Sequence, residues 1–174
     1  MVSKSLTIRG ATDKDIAALA TMGAQTFSLA YSSIIGPKDL ESYVQEAFSP
    51  ELIASERQTG QTTFILAEVE HIPCAYAGIR RSQLPEGITL LHPVELQRLY
   101  VLPEWFGQGI GTAMLSHIVS WIKQHCYRSC WLRVWEKNLR AIALYKRWDF
   151  QTIGSEPYYV GDVSETVLVM TREF

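Results

Sequence analysis

Three glycines at alternate positions, Gly107, Gly109 and Gly111, stand between a β-branched and aromatic run ending in Leu99, Tyr100 and Val101 and the start of a helical pattern. Without Cβ atoms, such a loop lets successive backbone N–H groups converge on an anion at the positive end of a helix dipole, and a pyrophosphate fits that description. Glycine-rich turns also arise for purely steric reasons, so the surroundings decide. A Rossmann site carries an acidic residue about 20 residues on, at the end of a second parallel strand. Here the strand at that distance, residues 129–134, runs through Trp135-Glu136-Lys137-Asn138 into another helix. A Walker loop needs Lys and Ser/Thr after its last glycine, whereas Gly111 is followed by Thr112-Ala113. Both nucleotide readings fall.

The elements that must position this loop follow from periodicity and caps. Residues 6–9 alternate as a strand, and Thr12-Asp13-Lys14-Asp15 resembles a capping box before a helix with apolar Ile16, Leu19, Ala20, Gly23, Phe27 and Ala30. Pro37 opens a second helix running to about Phe48, and Ser49-Pro50 caps a short third one. Residues 62–69 and 74–81 read as a hairpin, and residues 83–91 as a surface loop. Residues 94–101 form the next strand, with Glu95, Gln97, Leu99 and Val101 expected on one face and Leu96, Arg98 and Tyr100 on the other. The helix from Gly109 carries the apolar stripe Ile110, Met114, Leu115, Ile118, Val119 and Ile122. A strand at 129–134, a helix at 138–148 and two strands meeting at Gly161-Asp162 complete a mixed α/β sheet with helices on both faces.

At 174 residues the chain is expected to form one domain, 1–174, with a sizeable core. A net charge of −2 gives no global basic field for nucleic acid or an anionic membrane surface. No apolar run is long enough to span a bilayer and the N-terminus lacks a signal-peptide core, so a cytoplasmic location is expected. Cys74, Cys126 and Cys130 show no metal-type spacing and read as reduced core or near-core thiols; no metal is expected.

Three blocks then give a resemblance to the GNAT acyltransferase superfamily. The first is Gly107-Gln108-Gly109-Ile110-Gly111-Thr112. The second, Asn138-x-x-Ala141-x-x-Leu144-Tyr145-x-x-x-Asp149-Phe150, looks like the superfamily's Asn-x-x-Ala-x-x-x-Tyr-x-x-x-Gly-Phe helix. The third, Trp131-Leu132-x-Val134-Trp135-Glu136-Lys137-Asn138 with Tyr159-x-Gly161-Asp162, is similar to the bacterial PaiA-type spermidine/spermine N-acetyltransferases. The resemblance covers essentially the whole chain and implies the GNAT fold, a central, mostly antiparallel twisted sheet. Two positions depart from the pattern. Phe106 stands where the superfamily usually has Arg or Gln, removing a side-chain contact to the pyrophosphate while leaving the backbone amides. Asp149 stands where Gly is usual, at a position that often requires a left-handed backbone, which Asp tolerates better than most residues.

The resemblance implies direct transfer of an acetyl group from acetyl-CoA to a primary amine, without an acyl-enzyme. Tyr145 is then the acid that serves the departing sulfur, and Asn138, on the same helix face, holds the pantetheine arm as well as capping its helix. Glu95 is the candidate base, set against the alternative of a plain strand-start carboxylate. The backbone of Leu99, Tyr100 and Val101 would face the acetyl and pantetheine groups, and Arg147 is a candidate phosphate contact. Together with Gly107, Gln108, Gly109, Ile110, Gly111, Thr112 and Tyr145 these form the expected cofactor site. Tyr31, Glu136, Tyr159 and Asp162, with Tyr158 beside them, are the candidate acceptor residues, whose acidic and aromatic character suits a polyamine. The implied partner is a small-molecule amine, with a homodimer left open. Two alternatives stand beside this reading: an acetyltransferase of amino acids, peptides or protein N-termini, and a catalytically idle CoA-binding module suggested by Phe106 and Asp149.

Overall fold

The computed structural model describes residues 5–174. The chain runs β1 (Leu6–Gly10), a 3-10 turn (Asp13–Asp15), α1 (Ile16–Tyr31), α2 (Pro37–Ala47), α3 (Pro50–Gln58), β2 (Thr62–Val69), β3 (Ile72–Arg80) and β4 (Pro93–Val101). A second 3-10 turn (Pro103–Trp105) leads to α4 (Ile110–Gln124), β5 (Ser129–Trp135), α5 (Leu139–Arg147), β6 (Gln151–Val160) and β7 (Val163–Glu173). The seven strands lie in the order β1-β2-β3-β4-β5-β7-β6, antiparallel throughout except for the β4–β5 pair. The expected α/β architecture is therefore present.

The local signals behave as their chemistry requires. Asp15 accepts from the Thr12 N–H at 2.7 Å and from its hydroxyl at 2.9 Å, closing the start of α1, and also pairs with Arg9 at 2.8 Å. Ser49 Oγ accepts from the Leu52 N–H and caps α3. The β2–β3 turn is tighter than the four-residue connection expected from sequence, because Glu70 and His71 both adopt positive φ and close a two-residue hairpin.

Helices cover both sheet faces. Beneath α4 and α5, the stripe Ile110, Met114, Leu115, Ile118 and Ile122 packs on Ile65, Ala77, Leu96, Leu132 and Met170. Beneath α1 to α3, Leu19, Met22 and Ile53 pack on Phe64, Leu66 and Tyr76, and Phe27 and Leu40 join Phe48 and Val160. A buried ion pair, Arg98 to Glu56 at 2.6 Å, ties β4 to α3.

Two further expectations are corrected. The strict alternation expected along residues 94–101 is broken, because Gly78 pairs with Arg98 while Ile79 pairs with Leu96, leaving Gln97 as an extra residue in a bulge. The pleat changes phase there. Leu96, Leu99 and Val101 join the core under α4, and Glu95 shares the opposite face with Arg98 and Tyr100. Cys74 and Cys130 are buried as expected, but Cys126 is exposed. It occupies the left-handed position (φ 60°) just past α4, where the Tyr127 N–H returns to the Ile122 carbonyl at 3.2 Å.

Candidate active site

The parallel strands β4 and β5 pair only at Pro93–Ser129, Val94–Cys130 and Glu95–Trp131. Beyond Glu95 they part: β4 stays with β3 while β5 continues along β7. The Gln97 bulge lies where β4 turns away. Leu102 donates its N–H to the Cys74 carbonyl at 2.9 Å. Since backbone groups alternate sides along a strand, the N–H and C=O of Leu99 and Val101 face the gap, and those of Tyr100 face β3. Of the three backbone candidates, Leu99 and Val101 are free to meet a ligand; Tyr100 contributes its ring to the opposite side.

At the end of this gap the glycine loop opens α4. Gly109 is the N-cap in a left-handed conformation (φ 80°), which removes any side chain that could cap the helix. The first intrahelical bond runs from Ala113 N–H to the Gly109 carbonyl, so the amides of Ile110, Gly111 and Thr112 have no partner within the helix. Gly107 (φ 75°) shares the left-handed conformation, and a Cβ at either residue would meet no protein atom within 4 Å. That is a cradle open to an anion. Gly111 serves a different purpose: a Cβ there would lie 3.1 Å from Leu144 Cδ2, so its absence lets α5 approach α4. Gln108 is committed to the Glu104 carbonyl through Nε2.

α5 carries the second block. Asn138 Oδ1 accepts from the Ala141 N–H at 3.1 Å, and its amide donors have no partner among the described residues. Tyr145, 7% exposed, is packed among core residues. Burial, reinforced by Cys130 and Tyr100, holds its phenol protonated well above the usual range. Its neighbour in sequence, Leu144, packs against Gly111 at the start of α4, so this part of α5 lies beside the glycine loop. Among the described residues the Tyr145 hydroxyl has no hydrogen-bond partner. Asp149 takes φ 62°, and the N–H groups of Asp149 and Phe150 return to the Lys146 and Tyr145 carbonyls at 3.1 Å each. The aspartate thus performs the left-handed stop usually made by glycine. Arg147 is exposed on the last turn of α5, about 10 Å along the axis from Arg140 in the first turn.

Glu95, 2% exposed, sits at the apex of the gap. One oxygen accepts from Arg80 Nε at 2.7 Å and the other from Arg133 Nη1 at 3.0 Å, while Arg133 also bonds Glu156 and stacks on Trp131. Residue spacing gave no hint of either arginine. Farther along the same face lies an aromatic group: Phe27 stacks on Tyr31 and Tyr43, Tyr31 leans on Trp135, and the Tyr43 and Tyr158 hydroxyls bond each other. Burial, with Tyr43 and Glu165 nearby, pushes the Tyr31 phenol up to about 12. Trp135 donates to Glu165 at 2.9 Å and Lys137 pairs with the same carboxylate. Tyr31 and Tyr158 join this group, but Tyr159 does not: as the next residue on β6 it points the other way and is 64% exposed. Glu136 and Asp162 are exposed, at the end of β5 and at the β6–β7 turn. An open groove of about 660 Å³ between the β3–β4 loop and β6 includes none of these candidate residues.

This geometry can hold a pyrophosphate at the α4 amides, a thin amide-bearing chain between the strands, and a reactive end beside Tyr145. The family model for the acetyltransferase (GNAT) family matches residues 30–150. The chain belongs to this family. The GNAT chain is accordingly an acyltransferase, and its seven-stranded, mostly antiparallel sheet is the GNAT fold. It is 28% identical over 155 residues to an uncharacterized N-acetyltransferase of Mycobacterium tuberculosis, covering 89% of this chain and 95% of that protein. The Escherichia coli [ribosomal protein bS18]-alanine N-acetyltransferase is 31% identical over 83 residues, 47% of this chain and 56% of that protein. Among solved structures, the PaiA N-acetyltransferase of Thermoplasma acidophilum in complex with coenzyme A superposes with a TM-score of 0.77 at 20% identity, covering 98% of this chain and 99% of that one. The E. coli S18-alanine enzyme superposes at 0.71 and 21% identity, with 97% and 94% covered. Among the described residues no helix is long and apolar enough to cross a membrane, and no group of three or more His, Cys, Asp or Glu could hold a metal ion.

Proposed function

We propose that this protein transfers the acetyl group of acetyl-CoA directly to a primary amine. The observation that carries this reading is the coincidence, where β4 and β5 part, of uncapped amides at the start of α4 and free backbone groups on Leu99 and Val101, with the unpartnered phenol of Tyr145 on the helix that packs against that start. Acetyl-CoA supplies an activated thioester. The α4 amides of Ile110 to Thr112 hold its pyrophosphate, Asn138 and the two β4 backbones hold the pantetheine arm, and Tyr145 presents its O–H to the sulfur. As the amine nitrogen bonds to the carbonyl carbon and the C–S bond breaks, the Tyr145 O–H hydrogen-bonds the departing thiolate; the ammonium formed on the acceptor nitrogen loses its proton to solvent, and solvent returns one to the sulfur. Glu95, whose two oxygens are engaged by Arg80 and Arg133, is assigned to positioning rather than to proton transfer.

For the acceptor we propose a polyamine. The faces of Tyr31 and Trp135 can attract a cation, and the exposed carboxylates of Glu136 and Asp162 can attract a second ammonium. The segment shared with the S18-alanine enzyme favours a second reading, a peptide α-amine. Thiol release from acetyl-CoA across spermidine, spermine, a monoamine of similar length and an alanine-terminated peptide tests both. Preference for the polyamines that weakens with salt, and a raised KM for them alone in Glu136→Gln, is the expected result. Preference for the peptide establishes the second reading, and no turnover with any amine removes the enzymatic one.

A further inference from the structure

The Arg140 guanidinium carbon lies 3.3 Å from the centroid of the Phe106 ring, close enough for face-to-face stacking. Phe106 immediately precedes Gly107, and residues 103–112 contain no Lys or Arg. Arg140 comes to it from another element. It sits in the first turn of α5, one turn before Leu144 on the same helix face, and Leu144 is the residue that packs on Gly111. The close approach of α5 to α4 therefore sets a guanidinium beside the loop whose amides are uncapped. Arg140 is exposed and has no carboxylate partner among the described residues, unlike Arg9, Arg80, Arg98 and Arg133. A stacked guanidinium keeps all its N–H donors in plane and free, and they match a phosphate in fork geometry.

We propose that Arg140, held on the face of Phe106, is a phosphate-binding residue for coenzyme A and supplies a cation to a loop that carries none of its own. The aromatic ring is the support that makes this possible: it fixes the orientation of a long side chain before the ligand arrives and does not compete for its charge. This assignment rests on the acetyl-CoA reading and goes beyond it, because it names a side chain on α5 and gives Phe106 a purpose.

The test is calorimetric titration of coenzyme A, dephospho-coenzyme A and pantetheine into the full chain and its Arg140→Ala, Arg140→Lys and Phe106→Ala variants, each first shown by thermal melting to fold. Arg140→Ala should weaken coenzyme A binding about 10- to 100-fold, the usual range for a charge-assisted bond, and leave pantetheine unchanged. An equal loss with dephospho-coenzyme A assigns the contact to the pyrophosphate, and a loss seen only with coenzyme A assigns it to the 3′-phosphate. Phe106→Ala should give a smaller loss, and no further loss once Arg140 is Ala; Arg140→Lys should recover only part of the affinity. Coenzyme A binding that is tight in the parent and unchanged in Arg140→Ala overturns the proposal while sparing the acetyl-CoA reading. No binding in the parent overturns that reading itself.

Discussion

Phe150 donates its N–H to the Tyr145 carbonyl at 3.1 Å while the two rings lie 5.7 Å apart, so the stop signal of α5 and the proposed acid form one unit. The hydrogen bond belongs to the left-handed helix end at Asp149, and the ring contact is the apolar clasp that accompanies such ends. Whatever fixes Asp149 in its conformation also fixes the direction of the Tyr145 ring.

Asp149 at φ 62° carries a conformational cost that glycine avoids. Asp149→Gly should raise the stability by about 1 kcal/mol, some 2–4 °C in Tm, with kcat unchanged. Asp149→Val should lower both Tm and kcat, because a β-branched residue resists this backbone and loosens the clasp on Tyr145. A lower Tm for the glycine variant would mean that the 3.7 Å contact with Arg172 outweighs the backbone term.

Tyr145→Phe should reduce kcat by about 10- to 1,000-fold and leave the Kd for coenzyme A unchanged, since the hydroxyl acts on the leaving sulfur. Burial raises this phenol, so it stays protonated through the alkaline assay range and the parent's pH–rate profile should show no descending limb below about pH 10. Equal turnover of parent and variant would make Tyr145 a packing residue.

Glu95→Gln leaves Arg80 and Arg133 facing a neutral amide at a buried apex. With the guanidiniums partly solvated, a loss of about 1–3 kcal/mol is expected, read as a lower Tm, together with reduced kcat and an unshifted pH–rate profile. An alkaline shift of that profile at unchanged Tm would instead identify Glu95 as the base.

Asp15 is held far below the ordinary carboxylate range, first by its bonds from Arg9 and then by those from the Thr12 N–H and hydroxyl. Because the folded value is depressed, its contribution is complete above the unfolded value near 4 and is lost as pH falls below it. Denaturant midpoints measured from pH 7 to pH 2 should fall less steeply below pH 4 in Asp15→Asn than in the parent, with the variant already weaker at pH 7. Parallel curves would place the acid sensitivity elsewhere.

What the sequence determined by itself is local. The capped starts of α1 and α3, the glycine loop, the seven-residue spacing of Asn138 and Tyr145 and the left-handed stop at Asp149 all depend on neighbours within a turn or two, so residue type and order suffice. The bulge at Gln97 leaves a trace, since the apolar positions Val94, Leu96, Leu99 and Val101 are spaced by two, three and two, but only pairing with β3 shows which residue is extra. The rest required the fold. Glu95 meets two arginines 15 and 38 residues away, Tyr158 and Tyr159 take opposite faces according to the β6 register, and Arg140 reaches Phe106 because Gly111 lets α5 approach α4. Such contacts join side chains through packing across elements, and no short-range spacing in the chain encodes them.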